Sequence, residues 1–132
     1  MSDWRGGRAS PASPLPSDEM PLPHPLPDEA VELIARRFRV LADPTRIKLL
    51  DNLREGEATV QELTSAVGST QQNVSKHLSV LMDAGIVGRR RNGGTTRYRV
   101  VDSDIWQLCE DVCGSVERRL ESLRAALRGP SR

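Results

Sequence analysis

Ser69-Thr70-Gln71-Gln72-Asn73-Val74-Ser75-Lys76-His77-Leu78-Ser79-Val80-Leu81-Met82-Asp83-Ala84-Gly85 is the stretch that decides the fold. Val74, Leu78 and Leu81 recur at helical spacing, so one face of a helix here is apolar and packs inward. Ser69 is placed to cap it, its hydroxyl accepting from an unpaired amide of the first turn. The opposite face carries Thr70, Gln71, Gln72, Asn73, Ser75, Lys76 and His77 near the N-terminal end. These side chains hold donors and acceptors and almost no net charge. That is the inventory needed to read base edges in a major groove, with a phosphate contact or a packing role standing equally beside base reading for His77.

Immediately downstream the chain runs Ile86-Val87-Gly88-Arg89-Arg90-Arg91-Asn92-Gly93-Gly94-Thr95-Thr96-Arg97-Tyr98-Arg99-Val100. An Asn-Gly signal between two short runs predicts a hairpin, with strands over about 86–91 and 96–101. The whole chain has a formal net charge of +1. Between Ser69 and Val101, however, Lys76, Arg89, Arg90, Arg91, Arg97 and Arg99 face the single acid Asp83, a local net of +5. Charge separated in this way gives a basic face on a near-neutral protein, the footprint of a duplex binder. Arg89, Arg90, Arg91, Asn92 and Arg97 are expected at phosphates or in the minor groove. A polar helix followed by a basic hairpin is a winged helix-turn-helix pattern.

Upstream, residues 1–27 contain seven of the nine prolines and predict an extended, disordered arm. A winged-helix domain is expected over 28–128. Its first helix starts at Asp28, with Val31, Ile34, Phe38 and Leu41 as an apolar stripe. Asp43-Pro44 breaks that helix, and Pro44 suits the first turn of the next. Thr59 and Glu62 form a capping box for a short third helix, Val60 to Ala66. Val67-Gly68-Ser69 is the turn into the reading helix.

A last helix is predicted from near Ser103 to Leu127. Its apolar stripe is Ile105, Leu108, Val112, Val116, Leu120, Leu123 and Leu127. At 1.5 Å per residue it is roughly 37 Å long, too long to bury on so small a domain. A second copy is the natural cover, so the architecture expected is mainly α with a small β-hairpin, dimeric through the first and last helices. The chain has no run of apolar residues long enough to span a membrane and no signal-type segment, which predicts a cytoplasmic protein. Four aromatics, Trp4, Phe38, Tyr98 and Trp106, supply no stacking platform for single strands.

The phrase from Phe38 to Leu50, with Ala42-Asp43-Pro44-Thr45-Arg46 at its centre, resembles the entry to the fold in ArsR/SmtB-type repressors. So does Asn73-Val74-Ser75-Lys76-His77-Leu78-Ser79-Val80-Leu81, with Ala84-Gly85-Ile86-Val87 after it, and the hairpin through Tyr98. The resemblance covers about residues 29–120. It implies a dimeric winged-helix repressor of a duplex DNA operator, released by an inducer that is often a metal ion. The metal sites of that family are not matched here. One uses cysteines in the third helix, where this chain has Thr59-Val60-Gln61-Glu62-Leu63. The other lies between paired terminal helices. There Asp102 and Asp104 match one pair in part, but the second pair falls on Ser115 and Arg118, which do not suit zinc.

Cys109 and Cys113 lie one turn apart on the last helix and share a face. Three readings stand: buried core filler, a pair of thiolates for a soft metal or metalloid such as arsenite, cadmium or copper(I), and a thiol redox sensor. The functional expectation is a sequence-specific DNA-binding regulator with Cys109 and Cys113 as candidate inducer-sensing residues. The alternative is a winged-helix module for protein–protein contact. A thiol enzyme is disfavoured, because a cysteine nucleophile needs a base and the two histidines, His24 and His77, are placed elsewhere in the pattern.

Overall fold

The structure, a computed structural model, describes Trp4 and residues 22–130. Most of the expected proline-rich arm therefore lies outside the described residues. The chain divides into two compact units, one ending at Val101 and one starting at Asp102.

The first unit contains α1 (Asp28–Leu41), α2 (Pro44–Asn52), a 3-10 turn (Leu53–Glu55), β1 (Ala58–Thr59), α3 (Val60–Val67), α4 (Gln71–Asp83), β2 (Val87–Asn92) and β3 (Thr95–Val100). Local chemistry sets several of these boundaries. Asp43 caps α2, its Oδ1 accepting from the Thr45 and Arg46 amides at 2.9 and 3.1 Å, and Pro44 occupies the first turn. Thr59 Oγ1 accepts from the Glu62 amide at 3.1 Å while Glu62 Oε1 accepts from the Thr59 amide at 2.9 Å, which completes the box that starts α3. Gly68 ends α3 in the left-handed region, φ 67°, where a side chain would be strained.

The cap of α4 is Thr70, one residue later than the Ser69 expected from sequence. Thr70 Oγ1 accepts from the Asn73 amide at 3.1 Å, and Ser69 Oγ instead accepts from Asn73 Nδ2 at 2.8 Å. Both hydroxyls can cap, and the turn at Gly68 places Thr70 at the position where the helix begins.

The sheet has the order β1-β3-β2 and is antiparallel throughout. Sequence reading found β2 and β3 but not β1. The register runs from Val87 opposite Val100 to Asn92 opposite Thr95, and Gly93 turns the hairpin at φ 68°. Ala58 and Thr59 add to the free edge of β3, opposite Tyr98 and Arg97.

The core lies among α2, α3, α4 and the base of the hairpin. Leu49, Leu50, Leu53, Leu63, Val74, Leu78, Leu81, Ile86 and Val87 are buried. Each contributes about 1.5–3 kcal/mol over the exposed state. Helix α1 buries none of its residues, and Val31, Leu33, Ile34 and Phe38 are exposed. The second unit is the single helix α5 (Asp104–Arg128), on which Val112, Val116, Leu120, Leu123 and Leu127 are exposed. No helix among the described residues is long and apolar enough to cross a membrane.

Candidate nucleic-acid interface

Helix α4 presents two contrasting faces because its apolar residues keep helical spacing. Val74, Leu78, Leu81 and Met82 are buried. Thr70, Gln71, Gln72, Ser75, Lys76 and Ser79 are exposed on the other side. Asn73 is half-buried and its amide is already tied to Ser69, so it stiffens the first turn.

For His77, where a packing role stood beside a groove contact, the structure shows the packed position. It is buried, on the same side as Val74 and Leu81. Its Nδ1 lies 3.0 Å from Arg46 Nη1 and 4.0 Å from Asp43 Oδ1. A signal for this was present in the chain: His77 stands three residues after Val74 and four before Leu81, on the apolar stripe itself. The Asp43 carboxyl is held below its ordinary value, first by the Arg46 amide, with His77, the Arg46 charge and the Thr45 amide adding and desolvation opposing.

The hairpin sorts its arginines by the pleat. Arg89 and Arg91 are exposed, as is Asn92 at the tip. Arg90 and Arg97 stand opposite each other across the strands, and this like-charge pair is balanced by acids. Arg90 Nη2 donates to both oxygens of Glu57, at 3.0 and 3.1 Å. Arg97 lies 3.7 Å from Glu57 and 3.8 Å from Glu62. Glu62 is thereby both a helix cap and an ion-pair partner. Its carboxyl is held below its ordinary value chiefly by the Thr59 amide, then by the Thr59 side chain, with Arg97 adding to them. Trp4 lies against the same face, its ring centroid 4.5 Å from the Arg99 guanidinium and 5.2 Å from that of Arg90. Neither Glu57 nor Trp4 was singled out from sequence, because both act on the hairpin from distant positions in the chain.

On α5, Cys113 is exposed and Cys109 half-buried, and neither forms a disulfide. Burial as core filler, one of the three sequence readings, does not hold for Cys113 in the single chain. Its Sγ lies 3.7 Å from Glu117 Oε1. Among the described residues no group of three or more His, Cys, Asp or Glu is placed to hold a metal ion.

Residues 43–88 match the family profile of the bacterial regulatory proteins of the arsR family. The chain is 41% identical over 95 residues to the HTH-type transcriptional regulator KmtR of Mycobacterium tuberculosis, covering 72% of this chain and 73% of that one. It is 43% identical over 97 residues to a probable mercury resistance operon repressor of Streptomyces lividans, covering 74% and 73%. Among solved structures it is similar to the homodimeric winged helix-turn-helix DNA-binding domain Mb0332 of Mycobacterium bovis. The TM-score there is 0.65 at 28% identity, over 76% of this chain and 95% of that one.

Proposed function

From the premise that the chain belongs to the arsR family of bacterial regulatory proteins and is a DNA-binding transcriptional regulator, we propose that it acts in the cytoplasm as a homodimeric repressor. Its hold on a duplex operator is loosened by a soft metal ion, a metalloid or a thiol-reactive species at Cys109 and Cys113. The carrying observation is the exposed polar row of α4 in the same compact unit as the exposed Arg89 and Arg91. The row supplies base-edge donors and acceptors, and the arginines supply phosphate contacts.

Two features support the dimer. Val31, Leu33, Ile34 and Phe38 on α1, and Val112, Val116, Leu120, Leu123 and Leu127 on α5, are exposed in the single chain, and large exposed apolar stripes mark association surfaces. The solved relative in Mycobacterium bovis is a homodimer. In this reading the chain catalyses nothing, and the imidazole of His77 is engaged with Arg46.

The donor set narrows the inducer. Two thiolates one turn apart suit a soft ion of low coordination number, whereas structural zinc takes four ligands. The relative in Streptomyces lividans is named for mercury resistance, which favours the soft end of the series. Cys109 and Cys113 would hold such an ion, which would supply only a crosslink between two sulfurs on α5.

The test is a mobility-shift titration on a duplex selected by the parent chain, repeated with mercury(II) chloride and with a mild thiol oxidant. Release of the parent, and retention by the double variant Cys109→Ser, Cys113→Ser, is the expected result. Equal responses of parent and variant would remove the cysteines from the mechanism.

A further inference from the structure

His77 is, among the described residues, the one polar or charged residue that is buried, and reading DNA gives it no task. Arg46 supplies one. Its Nε donates to Val40 O at 2.5 Å and its Nη2 to Arg39 O at 3.4 Å. Both carbonyls lie in the last turn of α1, where helix carbonyls lack donors from a following turn, and Arg39 O also accepts from the Ala42 amide at 3.3 Å. Its Nη1 reaches His77 Nδ1 at 3.0 Å. A guanidinium only donates, so this contact is a hydrogen bond when Nδ1 is the unprotonated ring nitrogen and accepts. The Arg46 backbone is itself fixed, because its amide donates to the Asp43 carboxylate that caps α2. One planar group therefore spans the end of α1 and the middle of α4, anchored from α2.

We propose that Arg46 and His77 are positioning residues for sequence reading. The fork sets the rotation of α4 about its axis, and so decides which base edges Gln72, Ser75 and Lys76 meet. This rests on the reading of α4 as the helix that enters the groove. Apolar contacts alone, at Val74, Leu78 and Leu81, resist separation of the helix but have no directional preference. A hydrogen bond from a rigid, three-way fork has one. A reading constellation tolerates displacements of only about 0.5 Å, so a small rotation is enough to lose it.

The test compares affinity for a duplex selected from a random pool by the parent chain with affinity for a random duplex of equal length. Arg46→Lys keeps the charge but cannot span three acceptors. It is expected to lower affinity for the selected duplex about tenfold, within the coupling range of a contacting pair, and to leave random-duplex affinity within about twofold. His77→Leu should do the same, and the double variant should lose no more than either single one. His77→Gln, whose side-chain oxygen can accept from Arg46, should recover most of the discrimination. Equal losses on both duplexes, additive losses, or His77→Gln behaving like His77→Leu would each overturn the proposal. Should Arg46→Lys fail to fold, the His77→Gln and His77→Leu pair decides alone. A parent chain that binds no duplex sinks the reading of α4 and this inference with it. A parent that discriminates while Arg46→Lys does so equally well sinks this inference alone.

Discussion

Glu57 holds Arg90 through both carboxylate oxygens, at 3.0 and 3.1 Å, and stands 3.7 Å from Arg97. One acid thus sits between the two arginines that face each other across the hairpin. Those arginines were expected to meet phosphates, and here they are engaged from within the protein. The sites are about one-third exposed, so solvent screens the pairs and their stabilising effect is small. A phosphate that approaches these guanidinium groups would have to compete with Glu57 for them.

Glu57→Gln should therefore strengthen duplex binding at low salt. It should also steepen the dependence of log affinity on log salt by about one contact. An unchanged slope would show that Arg90 and Arg97 stay with the protein in the complex.

The proposed function divides the outward side chains by task. Arg89→Ala or Arg91→Ala should weaken binding to every duplex alike, with a shallower salt dependence. Gln72→Ala or Ser75→Ala should alter sequence preference, at about 1–3 kcal/mol per lost base contact. Anisotropy titrations on matched and mismatched duplexes separate the two classes. A uniform loss from Gln72→Ala would remove it from base reading.

Much of this was legible before the structure, and the reasons are physical. The starts of α2 and α3 follow from capping residues that act within one turn of themselves, Asp43 and Thr59, and the end of α3 from Gly68. The inward face of α4 follows from the period of Val74, Leu78 and Leu81. What was missed depends on partners far away in sequence. Ala58 and Thr59 have no period of their own and become a strand only on the edge of β3. The period of Val74, His77 and Leu81 already put His77 on the inward face, but its partner Arg46, 31 positions earlier, was not visible from that period. The pairing of Arg90 and Arg97 with Glu57, from a position more than thirty residues upstream, had no local signal.

Acid should loosen the join between the short third helix and the hairpin. Glu62 has a folded-state value below its ordinary 4.5, held down first by the Thr59 amide. Such a group stabilises the fold above its ordinary value, and the contribution disappears as pH falls through the lowered one. Asp43 acts in the same sense below its ordinary 3.8. Glu62→Gln should thus melt below the parent at neutral pH, and the gap should close as pH drops beneath 4.5. A gap independent of pH would mean that the charge of Glu62 has no part in holding α3.

Leu120 is exposed on α5 in the stripe with Val116 and Leu123. If a second copy covers that stripe, Leu120→Glu should convert dimer to monomer, because burying an unpaired carboxylate is costly. Light scattering at micromolar concentration reads the outcome. A parent chain that is monomeric there, or a variant that stays dimeric, would move the association surface elsewhere.

The central claim is that two copies of α4 read one duplex in sequence-specific fashion. Selecting duplexes from a random pool with the parent chain, and counting chains per bound duplex, tests it most directly. The expected product is an imperfect inverted repeat bound by two chains, with half-site centres about one DNA turn, roughly 34 Å, apart. A pool with no enriched sequence, or a single half-site occupied by one chain, would contradict it.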